Sequence, residues 1–454
     1  MSQYLAASGA SAEIEKHDQL VAYFQDACRP RTGWLIGTEY EKVAVRRDNG
    51  MAAPFTGGIE EVLRRMADRY PWEPILEEGR IVALQGAGSI TLEPGGQFEL
   101  SGQPFATVHE ARRELDEHVE QIVGIGRDLG IAFLGLGIQP YSRLDQIEWV
   151  PKKRYGIMGP YMLQKGHLGQ RMMKQTATVQ MNIDYSSERD AMTKLRVGMG
   201  ITPILTAMFA NSPITDGELN GYASFRAHIW TDTDPDRCGL LPFAFGEMSD
   251  FSDYVEYALG VPMYFIVRDG RWYNMTSVTF RQFWKDGHQG YRATMDDWNA
   301  HLTTLFPEFR MKKYIEARAI DSQPLELMMA APAMIKGVFY QDDCLAAAWD
   351  LVKPWTWDER MQAYNDSHRE ALKARVRGIS LRDLALELQE IARHGLTRQP
   401  ALDSDGRDES KYLEPLNRLT RQGLCPADLS IARWNSSWSK DRAALIRDTA
   451  YTND

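Results

Sequence analysis

Two glutamates near the start of the chain have the spacing of a cation-binding pair. Glu39 and Glu41 lie two residues apart, and alternate residues of a β-strand share one face, so both carboxylates would point to the same side. Buried together, they would repel each other and lose solvation unless a cation or a basic group lay between them. An exposed edge strand with solvated acids is the alternative, and this segment does not separate the two interpretations.

Two further glutamates flank a predicted turn. Glu93 precedes the run Pro94-Gly95-Gly96 and Glu99 follows it. Glycine adopts backbone angles that other residues resist, so the run predicts a tight connection between two short strands. Mg²⁺ suits hard oxygen ligands of this kind, because it keeps several waters and takes a few carboxylates together with substrate phosphates. An ordinary surface hairpin has the same pattern.

A third segment alternates strongly between polar and apolar residues. Its polar side consists of Thr176, Thr178, Gln180, Asn182 and Asp184, and the residues between them are apolar. The apolar side predicts a core-facing surface. The polar side would face solvent, which is the usual arrangement in an antiparallel sheet, or it would form the floor of a polar cavity.

A fourth segment places basic residues around one acid. Within a single strand predicted over Phe309–Ala319, the side chains of Arg310, Lys312, Glu316 and Arg318 share one face. Such bases could hold a nucleotide phosphate beside a metal, because phosphoryl transfer depends mainly on positioning and charge stabilisation. A cross-strand ladder of salt bridges is the alternative.

Together the four segments predict a sheet whose one face carries several carboxylates and arginines. Such a cluster is costly to assemble without bound cations. The strands alternate with helices but without a regular βαβ rhythm, which favours an α+β fold with a largely antiparallel sheet and helices packed outside it.

The last third of the chain has a mainly helical pattern. In Ser380–His394 the leucines recur at helical spacing, with Ser380 as the expected N-cap and Gly395 as the expected end of the helix. We expect residues 324–454 to be a helical part of a single catalytic domain that spans residues 1–454.

The composition excludes several classes of function. The chain has 62 acidic and 52 basic residues, a formal net charge of -10, which argues against a nucleic-acid-binding surface. Four cysteines lie far apart and form no CxxC pair, which argues against a zinc site and favours a reducing, cytoplasmic location. We expect no signal peptide and no membrane span. Phosphate-loop, HExxH and GxSxG motifs do not occur, so nucleotide binding would need another architecture.

Long motifs in a fixed order make the chain resemble the plant-type glutamate-cysteine ligases, a family also found in bacteria. The resemblance covers about residues 34 to 350. Its motifs include IGTEYEK at 36–42, GSITLEPGGQFELSG at 88–102, TATVQMNIDYSSE at 176–188, FRAHIWTDTDPDR at 225–237, VPMYF at 261–265 and HLTTLFPEFRMKKYIEARAID at 301–321. It implies a glutamine-synthetase-like fold, in which a cradle-shaped antiparallel sheet has its helices outside.

The resemblance also implies a reaction and its cofactor. ATP would phosphorylate the γ-carboxylate of glutamate, and the amine of cysteine would then displace the phosphate to give γ-glutamylcysteine, the first step of glutathione biosynthesis. Mg²⁺ would hold the ATP phosphates. Carried over by motif, its ligands would be Glu39, Glu41, Glu93, Glu99 and Glu316.

Further roles follow from the same resemblance. Arg226 would pair with a substrate carboxylate, a role that suits a planar donor of two hydrogen bonds. Tyr264, Gln180 and Asn182 would line the substrate pocket, and the bases that would contact phosphate are Lys312 and Arg318.

The chain departs from the plant enzymes at their regulatory disulfides. Its cysteines match neither pair, so we expect no plant-type redox control and a monomer or weak homodimer. Two alternatives to the cysteine-ligating activity remain: a γ-glutamyl ligase of the same superfamily with another amine acceptor, and a catalytically silent sensor of nucleotides or amino acids.

Overall fold

The computed structural model describes residues 12–399, 401–438 and 441–452. The strands are β1 (Ile36–Arg46), β2 (Glu73–Glu77), β3 (Arg80–Gln85), β4 (Ser89–Leu92), β5 (Phe98–Ser101), β6 (Ile131–Leu134), β7 (Thr178–Ile183), β8 (Ile214–Thr215), β9 (Glu218–Leu219), β10 (Cys238–Gly239), β11 (Phe265–Arg268), β12 (Arg271–Asn274), β13 (Phe306–Pro307), β14 (Phe309–Met311), β15 (Ile315–Asp321), β16 (Arg375–Val376) and β17 (Ile379–Ser380).

The α-helices are α1 (His17–Gln25), α2 (Glu60–Arg69), α3 (Val108–Leu129), α4 (Lys153–Lys165), α5 (Gly169–Gln175), α6 (Glu188–Phe209), α7 (Phe225–Thr231), α8 (Phe251–Gly260), α9 (Phe280–Asp286), α10 (Met295–Leu302), α11 (Leu325–Met328), α12 (Ala330–Phe339), α13 (Asp342–Val352), α14 (Trp357–Glu370), α15 (Leu381–Thr397), α16 (Glu414–Arg421), α17 (Pro426–Arg433) and α18 (Arg442–Thr449). Among the helices of the described ranges, none has the length and apolar character needed to cross a bilayer.

One large sheet organises the molecule. Its strands follow the order β14-β15-β7-β1-β5-β4-β3-β2, and β6 pairs with the second half of β1. Neighbouring strands in this sheet run antiparallel. Helices α3, α6 and α12 pack against its strands from outside. The predicted α+β class with a largely antiparallel sheet is confirmed.

Strand β1 lies at the centre of this sheet. It pairs with β5 on one side and with β7 on the other, so Glu39 faces Ser101 and Gln180, and Glu41 faces Glu99. The two glutamates are each only 8% exposed. The interpretation of this segment as an exposed edge strand is therefore wrong, because both edges of β1 are hydrogen-bonded to other strands.

The segment predicted as one strand over Phe309–Ala319 is a hairpin. Strand β14 ends at Met311, the Lys312 N–H donates to the Tyr314 carbonyl (2.7 Å), and β15 returns antiparallel from Ile315. Arg310 then lies directly opposite Glu316. A single strand would have separated these two residues by about 20 Å, so the turn is what brings the opposite charges together.

The helices of the last third pack tightly on one another and on α6. Ser380 caps α15 as predicted, because its hydroxyl accepts the Asp383 N–H at 3.2 Å. The prediction that Gly395 ends this helix is wrong, since α15 continues to Thr397. A Cβ on Gly395 would lie 1.9 Å from the Gly337 carbonyl oxygen, so the glycine permits α15 to cross α12 at close range. The assignment of residues 1–454 to a single domain stays a prediction.

Candidate active site

The polar faces of the central strands line a cavity of about 190 Å³. Thr176, Thr178 and Gln180 belong to its wall and are each at most 6% exposed. The interpretation in which this polar strand face meets solvent is therefore wrong. The face forms part of the floor of a polar cavity, and side chains from helices α5 and α7 stand in its wall.

Three carboxylates form a compact group on this floor. One carboxylate oxygen from each of Glu41, Glu93 and Glu99 lies within 4.8 Å of the others. Burial, and then repulsion from Glu93 and Glu99, raises the pKa of Glu41 well above its usual value. Burial, followed by repulsion from Glu39 and Glu93, raises the pKa of Glu99 to about 7. Oxygen ligands so close together fit a hard divalent cation such as Mg²⁺, which would offset their repulsion.

Hydrogen bonds hold two members of this group in fixed orientations. The Thr178 N–H donates to Glu41 Oε2 at 2.9 Å, and the Thr91 hydroxyl donates to Glu99 Oε2 at 2.9 Å. The Ser101 hydroxyl donates to the other Glu99 oxygen. These donors leave each carboxylate with further lone pairs for a cation.

The turn that carries Glu93 is fixed by the segment that precedes and begins α4. The Leu92 carbonyl accepts hydrogen bonds from Lys152 Nζ (2.8 Å) and from the Tyr155 hydroxyl (2.9 Å). On the other side of the turn, Gly95 packs so tightly that a Cβ there would lie 2.2 Å from the Lys174 carbonyl oxygen. The glycine predicted from the turn pattern is thus needed for close packing, which places Glu93 against β5.

A second cluster concentrates positive charge around Glu316. Its carboxylate lies 2.5 Å from Arg310 Nη2, 3.0 Å from Lys312 Nζ and 3.1 Å from Arg318 Nη1. Burial alone would raise the pKa of Glu316, but the three cations outweigh burial and hold the pKa well below its usual value. Three cations around one carboxylate leave a net positive charge, and this suits the binding of a phosphate.

Glu39 lies beside this cationic cluster. It shares the β1 face with Glu41 and accepts a hydrogen bond from Asn182 Nδ2 at 3.0 Å. Gln180, opposite Glu39 on β7, accepts a hydrogen bond from Arg318 Nη1 at 2.5 Å. Amide side chains of β7 therefore connect the acidic and the basic parts of the floor.

Arg226 approaches the cavity from α7. The residue is 2% exposed, and its Nη2 donates to the Arg318 carbonyl at 2.8 Å. Its Nη1 lies 3.8 Å from Asp321 Oδ1. The guanidinium is thus held at the wall of the cavity, next to the strand that carries the phosphate-binding candidates.

Most of the residues predicted from the sequence meet at this cavity. Those that line it are Glu39, Glu41, Glu93, Glu99, Gln180, Arg226, Lys312, Glu316 and Arg318. Asn182 lies behind them and contacts Glu39. Tyr264 lies outside the lining: it is 1% exposed, Arg237 lies 4.0 Å above its ring, and its hydroxyl faces Met162 Sδ at 3.7 Å. The individual roles stay predictions.

The cavity also contains residues that the sequence reasoning did not single out. Arg154 and Met158 come from α4, Trp230 from α7, and Phe265 from β11. Trp230 follows Arg226 by four residues, which places both on one face of a helix, so a helical interpretation of FRAHIW could have identified it. The residues of α4 carry no such signal, because helical periodicity reports burial and not contact with a cavity.

The chain is similar to known proteins over most of its length. The family model described as glutamate-cysteine ligase family 2 (GCS2) matches residues 35–447. The chain is 41% identical to the chloroplastic glutamate-cysteine ligase of Brassica juncea over 438 residues, covering 96% of this chain and 84% of the relative. It is 39% identical to glutamate-cysteine ligase B, chloroplastic, of Oryza sativa subsp. japonica, covering 96% of this chain and 87% of the relative.

A solved structure shares the fold. The crystal structure of the glutamate-cysteine ligase of Francisella tularensis in complex with AMP superposes with a TM-score of 0.57 at 14% identity, covering 91% of this chain and 87% of that one. At this identity the likeness concerns the fold, and it agrees with the expected glutamine-synthetase-like class. The extent of the family match and the identity to full-length relatives show that this chain belongs to the glutamate-cysteine ligase family 2.

Proposed function

We propose that the chain catalyses the ATP-dependent ligation of the γ-carboxylate of glutamate to the amine of cysteine, giving γ-glutamylcysteine. One observation carries the proposal: a single cavity holds a group of three carboxylates and, on the same sheet face, a cluster of three cations around Glu316. The names of the relatives support the choice of glutamate and cysteine as substrates.

The arrangement suits a reaction in two steps. A γ-carboxylate oxygen of glutamate attacks the terminal phosphorus of ATP, and the bond to ADP breaks. The amine nitrogen of cysteine then attacks the acyl carbon, phosphate leaves, and the nitrogen loses a proton. Because phosphate carries the charge in both steps, the contribution of Arg310, Lys312 and Arg318 is to stabilise it while it moves.

The acidic side of the cavity has a complementary role. Glu41, Glu93 and Glu99, with Glu39 beside them, would hold Mg²⁺, which when bound neutralises the nucleotide phosphates. Arg226 would orient the substrate amino acid through its carboxylate. A wall of apolar side chains, including Trp230 and Phe265, limits the access of water to the acyl phosphate.

The proposal is tested by incubating the purified chain with Mg²⁺, ATP and glutamate and adding cysteine, alanine, glycine or ammonia. We expect phosphate release to be much faster with cysteine, and mass spectrometry to identify γ-glutamylcysteine. Equal rates with all acceptors would reject cysteine as the substrate and leave the ligase class intact. Absence of phosphate release with every acceptor would favour the sensor alternative.

We also propose a cytoplasmic location and a monomer or weak homodimer, both on the sequence arguments given above. Light scattering across a range of protein concentrations measures the second property directly. A mass that stays at twice the chain mass of 51.7 kDa on dilution would contradict it.

A further inference from the structure

Asp321 is a buried carboxylate that the proposed mechanism does not use. It ends β15 and is 1% exposed. Its Oδ2 accepts hydrogen bonds from the Asn211 N–H (2.8 Å) and the Ser212 hydroxyl (2.7 Å), and its Oδ1 accepts one from the Ser224 hydroxyl (2.8 Å). A Cβ on Gly137 would lie 2.7 Å from Asp321 Cβ, so the chain packs closely against it. The carboxylate therefore has a fixed orientation.

The two serines connect this carboxylate to the first turn of α7. Ser212 Oγ accepts the Arg226 N–H at 3.0 Å, and Ser224 Oγ accepts the Ala227 N–H at 3.1 Å. A hydroxyl can accept one hydrogen bond while it donates another, so each serine joins a helix amide to Asp321. The first amides of a helix have no partner within the helix, and these bonds therefore fix where α7 begins.

Asp321 also faces the side chain of Arg226. The Arg226 Nη1 lies 3.8 Å from Asp321 Oδ1, while Nη2 donates to the Arg318 carbonyl at 2.8 Å. One carboxylate thus acts on the backbone of Arg226 through Ser212 and on its guanidinium directly. Few rotamers of Arg226 remain open to it under these constraints.

We propose that Asp321 is a positioning residue for glutamate, acting through Ser212, Ser224 and Arg226. This inference rests on the proposed function, in which Arg226 pairs with a substrate carboxylate. It differs from a merely structural role in one respect. Loss of Asp321 as a structural residue would weaken the binding of glutamate and of the nucleotide alike, or of neither, whereas loss of a positioning residue weakens the binding of glutamate selectively.

The substitution Asp321→Asn tests the difference. An amide offers one acceptor oxygen and one NH₂ donor, so it cannot accept both serine hydroxyl protons. We expect both KM and Kd for glutamate to rise by about tenfold or more, because a buried hydrogen bond to a charged group is lost. The Kd for a non-hydrolysable ATP analogue with Mg²⁺, measured by calorimetry, should stay within about twofold, which is a negligible free-energy change.

Asp184→Asn is the matched control. Asp184 is also buried just beyond a strand of the same sheet, accepts a backbone N–H (from Leu35, 2.9 Å) and lies 3.7 Å from an arginine, Arg29. No hydrogen bond connects it to α7 among the described residues. We expect this variant to lose stability like Asp321→Asn and to keep the glutamate Kd of the original chain.

Two further variants keep the test decisive if Asp321→Asn fails to fold. Ser212→Ala removes one connection and should raise the glutamate Kd several-fold. In an Arg226→Lys background the effect of Ser212→Ala should largely disappear, because the two changes act through one contact.

The possible failures can be told apart. If the unmodified chain forms no γ-glutamylcysteine, the proposed function fails. If the unmodified chain is active but Asp321→Asn and Ser212→Ala leave the glutamate Kd unchanged, or weaken glutamate and nucleotide equally, the positioning role of Asp321 is overturned while the proposed function stands.

Discussion

Glu41 and Glu99 lie directly opposite each other on the neighbouring antiparallel strands β1 and β5. Like charges in this arrangement destabilise a sheet, and here Glu93 adds a third carboxylate to the pair. A bound cation would relieve the repulsion among these three carboxylates. The floor of the cavity is therefore less stable on its own than the sheet around it, in return for affinity for a divalent ion.

Replacing Glu99 by glutamine should have opposite effects on stability and on activity. Without metal, at pH 8, we expect Glu99→Gln to raise the free energy of unfolding by about 1 kcal/mol, because the repulsion is removed. The amide can keep both neighbours, since among the described residues the Thr91 and Ser101 hydroxyls bind no helix amide and one of them can turn to accept from the new NH₂ group. We expect turnover to fall by orders of magnitude and the Mg²⁺-induced increase in Tm to become smaller. Thermal denaturation with EDTA and with Mg²⁺ measures the stability and the increase in Tm, and phosphate release measures turnover. Glu73→Gln, on the exposed strand β2, is the control and should change neither.

The turn that carries Glu93 should not tolerate a side chain at Gly95. We expect Gly95→Ala to lower Mg²⁺ affinity by about tenfold or more, because the new Cβ would collide with the backbone of Lys174 and displace Glu93. Calorimetric titration with Mg²⁺ gives the affinity. Gly124→Ala is the control: a Cβ there meets nothing within 4 Å, and in helix α3 it should stabilise the fold slightly. Unchanged affinity in Gly95→Ala would place the ion elsewhere.

Removing the charge of Glu316 should affect the nucleotide more than the metal. Without that carboxylate, Arg310, Lys312 and Arg318 repel one another and lose their common partner. We therefore expect Glu316→Gln to raise KM for ATP by about tenfold or more and to destabilise the fold by about 3 kcal/mol, since breaking a buried ion pair leaves uncompensated charge. Steady-state kinetics and urea unfolding measure the two effects. A shift confined to the Mg²⁺ dependence would instead identify Glu316 as a metal ligand.

Buried histidines should make the fold sensitive to acid. Burial lowers the pKa of His301 to about 3, and its Nε2 lies 2.8 Å from the Ala258 carbonyl. Between about pH 3 and pH 6.5 the unfolded chain binds a proton that the folded chain excludes, so stability falls as the pH falls through that window. The slope is at most about 1.4 kcal/mol per pH unit for this group. We expect His301→Gln to flatten the loss, as measured by urea unfolding from pH 7 to pH 4.

His368 provides an independent check of the same effect. Burial also lowers its pKa to about 3. It belongs to α14, whereas His301 belongs to α10, so their contributions should add. If neither single substitution alters the pH dependence, other groups control the acid sensitivity.

The faces of the strands could be predicted from the sequence, because alternation is a local property. Glu39 and Glu41 share a face as predicted, and so do Gln180 and Asn182, which meet them on β7. What alternation leaves open is register. The pairing of Glu41 with Glu99 joins segments about sixty residues apart, and it depends on how β4 and β5 fold back on β1.

Two predictions about secondary structure are wrong because a local pattern does not determine how the segment packs. The turn between β14 and β15 contains no glycine or proline, and the alternation of charged residues runs through it, so the hairpin has the pattern of one strand. The sequence pattern predicts a helix stop at Gly395, but a glycine that permits a close crossing of two helices occurs in the same pattern. The role of Tyr264 stays a prediction: the residue matches a family motif, and its ring is packed between Tyr161 and Arg237, outside the lining of the cavity.

The shortness of β14 has a consequence beyond catalysis. This strand forms one edge of the large sheet, and the edge is only three residues long, with the charged Arg310 pointing inward. All three residues of β14 are buried, and the Met311 N–H already donates to the Tyr254 hydroxyl at 3.0 Å, so this edge is covered by other parts of the chain. The same hairpin that concentrates cations in the cavity thus ends the large sheet on this side with a short, covered edge that is closed to pairing with another molecule.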